Sequence, residues 1–254
     1  MPRRTSKEKQ INREDYPRKE QFKAESGMFD ERTVKYLGYL MTHGIVSELS
    51  FQIARGKEAD IYVAMPGTHV HDDVVVVKIF RIETSHFMKR IDYIYGDPRF
   101  SKIKRNIHSV VSEWCKKEYG NLKLAADAKV HAPLPYYFDG NVLAMQFIGV
   151  DGVPAQNLKA GGTDSPEKTL DSVIEDLRRL YQKAGLVHAD VSEYNILMKG
   201  DTPYLIDFGQ AVVLGHPKAQ QFLERDVRNL LTFFQKEYGV KRDSKKVLAH
   251  ITEQ

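Results

Sequence analysis

HADVSEYN, residues 188–195, followed by DFG at residues 207–209, is the stretch on which the reading of this chain turns. It sets a His, an Asp and an Asn at HxDxxxxN spacing and places a further Asp close behind. HxDxxxxN alone arises by chance in about three chains of this size in a hundred, but with DFG following it the joint chance falls to roughly one in ten thousand. Phosphoryl transfer is the chemistry that needs such a spacing. One carboxylate must stand beside the attacking hydroxyl, and oxygen ligands must hold Mg²⁺ on the phosphates. In a loop of this length Asp190 can orient the nucleophile, while Asn195, entering a strand, turns its amide oxygen to the metal. Asp207 ends the strand YLID and shares that metal, and Gly209 lets the backbone bend sharply behind it. His188 reads as a core histidine that braces the loop through a hydrogen bond. The plainer account, turn-capping residues in a pair of hairpins, explains each residue singly but not their joint arrangement.

Such a site also needs a cation on the phosphates. In the run DVVVVKIF, alternation puts Val74, Val76, Lys78 and Phe80 on one strand face, so Lys78 interrupts an apolar row. Otherwise it is a lysine snorkelling from a strand end. A helix is predicted from Arg105 to about Ala126. At 100° per residue, Ile107, Val111, Trp114, Leu122 and Ala125 fall within about 40° of Glu118, whereas Glu113 lies on the polar side. A carboxylate in an apolar seam costs several kcal/mol unless paired. A Lys78–Glu118 ion pair is therefore predicted, the alternative being a Glu118 that reaches water at a helix bend. In the loop ARGKEAD, Gly56 permits close backbone approach and Lys57 can reach phosphates, although neither GxGxxG nor the Walker pattern is present.

The surrounding chain is that of an ordinary globular protein: 254 residues, 28% charged and 42% apolar. This length fits one two-lobed unit. The opening MPRRTSKEKQ has no apolar stretch for a signal peptide, and the longest aliphatic run, Val74 to Val77, cannot span a bilayer. A cytoplasmic protein with no membrane association is expected. The single cysteine, Cys115, fits a reducing compartment and reads as a small buried hydrophobe. The net charge of +4 is unevenly spread. Residues 1–23 carry eight Lys/Arg against four Asp/Glu, and residues 81–108 carry seven against three. These are two basic segments that a polyanion can meet, unless they are simply solvated tails.

An α+β, two-lobed organisation follows. Residues 1–28 read as a basic flexible arm. Residues 29–149 read as an N-terminal helix capped by Asp30 and a nucleotide-binding lobe of five strands and one long helix, with a mobile loop at about 81–105. Residues 150–254 read as a catalytic lobe. It is entered through the Gly- and Pro-rich connector GVDGVPAQNLKAGGTDSP and carries helices over 167–184 and 217–238 around two short strands.

GKEADIY, VVKIF, KEYGNLKLA, VLAMQFIGVDGVPA, LVHADVSEYNIL, LIDFGQAV and FLERDVRNLLTFF stand in the order in which RIO-family atypical serine/threonine protein kinases carry them. From about residue 29 onward the chain resembles the first RIO subfamily in its short archaeal form. The resemblance implies a bilobal protein-kinase-like fold, an N-lobe antiparallel sheet with a long helix and a reduced, mainly helical C-lobe, that binds ATP with Mg²⁺, or with Mn²⁺ in its place. It implies Asp190 as catalytic base, Asn195 and Asp207 as metal ligands, Lys78 as the phosphate-binding lysine, and Met145 to Gly149, with Ile148 among them, as the hinge on adenine. Asp207 gains a second role as acceptor of an aspartyl-phosphate.

The family also implies small ribosomal subunit maturation, with a pre-40S or 30S-type particle or its rRNA as partner; a monomer or weak oligomer is expected. This chain departs from the subfamily in carrying Ala54-Arg55 where a Ser-Thr pair is usual. No APE follows DFG, so the usual platform for extended peptides is not built. Serine autophosphorylation or ATP hydrolysis is expected instead. Two other readings stand beside this one: a small-molecule phosphotransferase, and a non-catalytic nucleotide-binding ribosome assembly factor.

Overall fold

The structure, a computed structural model, describes residues 29–82, 93, 97–100 and 106–253. The expected arm over 1–28 and most of the expected loop over 81–105 lie outside the described residues.

Helix α1 (Glu31–Thr42) starts where the Asp30 carboxylate accepts hydrogen bonds from the backbone N–H groups of Arg32 and Thr33. It stops before Gly44, whose φ of 63° turns the chain into the sheet. Strands β1 (Val46–Arg55), β2 (Ala59–Pro66), β3 (Val75–Phe80), β4 (Pro135–Asp139) and β5 (Val142–Gln146) form one antiparallel sheet in the order β1-β2-β3-β5-β4. The long helix α2 (Ile107–Asp127) is capped by Asn106, whose side-chain oxygen accepts from Ser109 N. The sheet separates two apolar cores. Val75, Val77, Ile79, Val142 and Ala144 pack with Leu37 and Leu40 of α1. On the other face Phe80 and Leu143 pack with Val111, Trp114, Cys115 and Leu122 of α2. All six residues of β3 are therefore buried, and each large aliphatic side chain so placed stabilises the fold by about 1.5–3 kcal/mol.

The second lobe holds α3 (Leu158–Gly161), α4 (Pro166–Gln182), α5 (Ala219–Tyr238) and α6 (Ser244–Thr252). The two longer helices begin and end within two residues of their predicted limits. Helix α4 buries Leu170, Val173, Leu177 and Leu180, and packs against α5 and α6. Short strands flank the loops of Asp190 and Asp207, and β6 (Gly149–Val150) pairs with β7 (Val153–Pro154). Strands β8 (Gln156–Asn157), β10 (Ile196–Lys199) and β11 (Thr202–Leu205) form a sheet, and β9 (Leu186–Val187) pairs with β12 (Val212–Val213).

Two differences from the sequence reading have physical reasons. The connector over 149–166 is structured, because Asn157 and Gln156 pair with Leu197 and Met198, some forty residues on, where local pattern gives no sign of it. Helix α6 was not anticipated, although its signals are local: Asp243 accepts from Lys245 N and Lys246 N, and Val247 and Ile251 are buried one turn apart. No helix among the described residues is long and apolar enough to cross a membrane.

Candidate active site

A cleft of about 1330 Å³ opens between the sheet and the helical lobe. Lys57, Lys78, Glu118, Met145, Ile148, Asp190, Asn195 and Asp207 all line it, so the structure gathers every site residue expected from the sequence on one cavity. Lys57 is exposed in the turn after β1, which Gly56 N closes onto Ala59 O at 2.9 Å.

The predicted ion pair forms. Lys78 Nζ donates to both Glu118 oxygens, at 2.7 and 2.8 Å, from the cleft face of β3 to the buried stripe of α2. A third contact, 3.0 Å to Asp207 Oδ1, ties the pair to the DFG turn. Burial pulls the Lys78 pKa down, but Asp207 and Glu118 together pull harder, and the net shift is upward. Burial pushes the Glu118 carboxyl up, to about 7, against the pull of Lys78. The close contact with both oxygens decides between these tendencies in favour of the ion pair. Glu113 lies on the outer side of α2 and pairs with Lys116 at 3.5 Å.

The opposite wall is built from two loops with strained backbones. Ala189 and Asp207 hold φ of 63° and 65° without being glycine, each at a cost of about 1–3 kcal/mol. Several bonds hold them there. Asp226 of α5 accepts from Ala189 N at 2.7 Å and Val191 N at 3.1 Å, and Arg225 donates to the Ala189 carbonyl. Asp226 is fully buried, which pushes its carboxyl up to about 7 against the opposing pull of those two N–H groups. His188 is the brace foreseen from sequence: Nε2 lies 3.1 Å from Ile206 O and the ring packs on Phe208. Burial drives its pKa down to about 4, so the imidazole is neutral and Nε2–H is the donor.

Asn195 donates through Nδ2 to the Asp190 carbonyl at 2.8 Å and to Asp190 Oδ2 at 3.2 Å. That leaves its amide oxygen for a cation. An amide oxygen and a carboxylate are the hard ligands Mg²⁺ takes when phosphates and water complete its shell. Among the described residues no group of three or more His, Cys, Asp or Glu could hold a metal ion, and a phosphate-borne Mg²⁺ needs none. Sequence reasoning missed Gln210, Lys117 and Asn121. Gln210 Nε2 reaches Asp190 Oδ2 at 2.9 Å, while Lys117 and Asn121 turn from α2 onto the backbone behind Asp207.

A small antiparallel sheet and a helical lobe, with a lysine–glutamate pair bridging strand and helix beside the cleft, define a kinase-like enzyme fold. Crystal structures of the Rio2 kinase from Chaetomium thermophilum share it at a TM-score of 0.64 and 22% identity. One of them is its ADP/Mg²⁺-phosphoaspartate complex, for which the match covers 86% of this chain and 66% of that one. This chain thus spans about two thirds of that structure's length. Residues 60–247 match the RIO domain, and the chain belongs to the RIO family of kinases. It is 38% identical over 233 residues to the RIO-type serine/threonine-protein kinase Rio1 of Haloferax volcanii, covering 92% of this chain and 79% of that relative. It is 45% identical over 177 residues to the protein of the same name from Thermoplasma acidophilum, covering 70% and 92%.

Proposed function

We propose that the protein is an ATP- and Mg²⁺-dependent serine/threonine phosphotransferase that uses Asp190 as base and Asn195 and Asp207 as metal ligands. The observation that carries this reading is the Lys78 ammonium, held by Glu118 and Asp207 in a cleft that Asp190 and Asn195 also line. Residues 29–149 would form the nucleotide-binding lobe and residues 150–254 the catalytic lobe. Met145 and Ile148 meet the adenine, Lys78 and Lys57 the phosphates. Bound Mg²⁺ supplies charge neutralisation on the phosphate oxygens. Asp190 takes the proton of the attacking hydroxyl as the new O–P bond forms. The bond from the γ-phosphorus to the bridging oxygen breaks, and that oxygen leaves with ADP.

The phosphoaspartate in the Chaetomium complex favours a second path. There a carboxylate oxygen of Asp207 accepts the phosphoryl group, and water later releases it as inorganic phosphate. Only nine residues separate Gly209 from α5. They leave no room for a long activation segment, which favours autophosphorylation or hydrolysis over transfer to extended peptides. A part in small ribosomal subunit maturation, with rRNA as partner, is supported by the family resemblance and the two basic segments. The reading is tested with Asp190→Ala, expected to lower turnover about 10²–10⁴-fold with nucleotide affinity kept. Unchanged turnover would sink it. Incubation with γ-labelled ATP then distinguishes label on serine, label on a hydroxylamine-sensitive aspartate, and label released only as phosphate.

A further inference from the structure

A carboxylate that must take a proton from one bound hydroxyl has to be held in one rotation about its own stem. Asp190 receives two amide donors on the same oxygen: Asn195 Nδ2 at 3.2 Å and Gln210 Nε2 at 2.9 Å. Asn195 belongs to the same loop, bonds also to the Asp190 carbonyl, and carries a metal-directed oxygen. Gln210 comes from a different segment, is 7% exposed, and makes the shorter bond.

The backbone around Gln210 is fastened on both sides. Lys117 Nζ donates to the carbonyls of Gly209 at 2.8 Å and Ala211 at 2.5 Å. Asn121 Nδ2, one helical turn along, donates to Phe208 O and Ala211 O, both at 2.9 Å. The next residue, Val212, pairs with Val187. At Gly209 a Cβ would come within 2.7 Å of Trp114 Nε1, so α2 lies directly against this backbone. One turn of α2 therefore does two things. Glu118 sets Lys78 on one wall of the cleft, and Lys117 with Asn121 sets the segment that carries Gln210 to the other.

We infer that Gln210 is a positioning residue for the reaction, its side-chain amide fixing the rotation of the Asp190 carboxylate, with Lys117 and Asn121 holding it in place. The inference rests on the reading of Asp190 as the base. Gln210→Met keeps the length and volume of the side chain and removes the donor. Its kcat is expected to fall about ten- to a hundredfold, with the KM for ATP and the melting temperature unchanged. Gln210→Asn, which keeps an amide on a shorter stem, is expected to be impaired as well. Rates are normalised to the fraction of molecules that bind nucleotide, so that loss of folding cannot imitate the effect. In an Asp190→Ala background, Gln210→Met is expected to leave the residual rate where it is, because the group it positions is gone. A wild-type kcat in Gln210→Met overturns the inference, as does an equal loss in both backgrounds or a loss confined to KM. Asp190→Ala at full turnover would bring down the base assignment itself. An inactive Asp190→Ala beside an unimpaired Gln210→Met would bring down only the role of Gln210.

Discussion

Val77 and Lys78 are neighbours on β3, both buried, and they face opposite ways. Val77 sits among Leu37, Leu40, Val142 and Ala144, a dry core in which every contact lowers the free energy of the fold. Lys78 faces the cleft, where burying an ammonium is unfavourable and becomes tolerable only because Glu118 and Asp207 reach it. The same strand thus stabilises the lobe through one face and, through the other, holds a charge that a phosphate can claim. The difference shows which side of the sheet sets the architecture and which side the chemistry requires.

Three substitutions can break this contrast or sharpen it. The largest loss of stability is expected from Glu118→Ala, which leaves Lys78 without its bidentate partner. Unfolding free energy should fall by about 3–5 kcal/mol in denaturant titrations, together with nucleotide affinity. A loss no larger than that from removing the outer Glu113 would show that the cleft charge is well solvated. Val77→Ala should cost about 2 kcal/mol and leave kcat per folded molecule at the wild-type value. A fall in kcat would mean that the two faces are not separable.

The smallest effect concerns Lys117, a second buried lysine, next to Glu118 on α2, whose pKa burial lowers from the ordinary 10.5 to about 7. Between those values the unfolded chain binds the extra proton, so wild-type stability should rise with pH from about 7 toward 10.5, by at most about 1.4 kcal/mol per pH unit. Below about pH 7 the penalty for charging the buried amine is fully present. Lys117→Met lacks this titration. Melts of both proteins at about pH 7 and pH 8 should therefore show the wild type gaining about 1 kcal/mol on the variant. A constant gap would mean that Lys117 keeps its charge and uses it on the Gly209 and Ala211 carbonyls.

The same contrast explains what was legible in the sequence. Glu118 could be found because it stands mid-stripe among Ile107, Val111, Trp114 and Leu122, and Lys78 because it interrupts an alternating apolar row. Both are violations of a period, and periods are local. Asp190, Asn195 and Asp207 stood out through the joint spacing of HxDxxxxN and DFG, and the fold brings them to one cleft. Lys117 adjoins Glu118 and reads as the polar flank of the helix. Its burial comes from a segment more than ninety residues away. Asn121 and Gln210 were hidden for the same reason, since nothing within a window of either announces the partner. Likewise the pairing of Asn157 with Leu197 made structure out of a stretch whose glycines and prolines read as a connector.

Cys115, the one cysteine of the sequence, is fully buried on α2, and burial raises its thiol pKa well above the ordinary range. A sulfur that stays protonated and sealed from solvent does not react with alkylating reagents. A cysteine introduced at Tyr194, 58% exposed on the cleft rim, would therefore be the sole position that a maleimide dye marks. The native chain can carry a fluorescent reporter on the cleft rim without first being stripped of its own thiol.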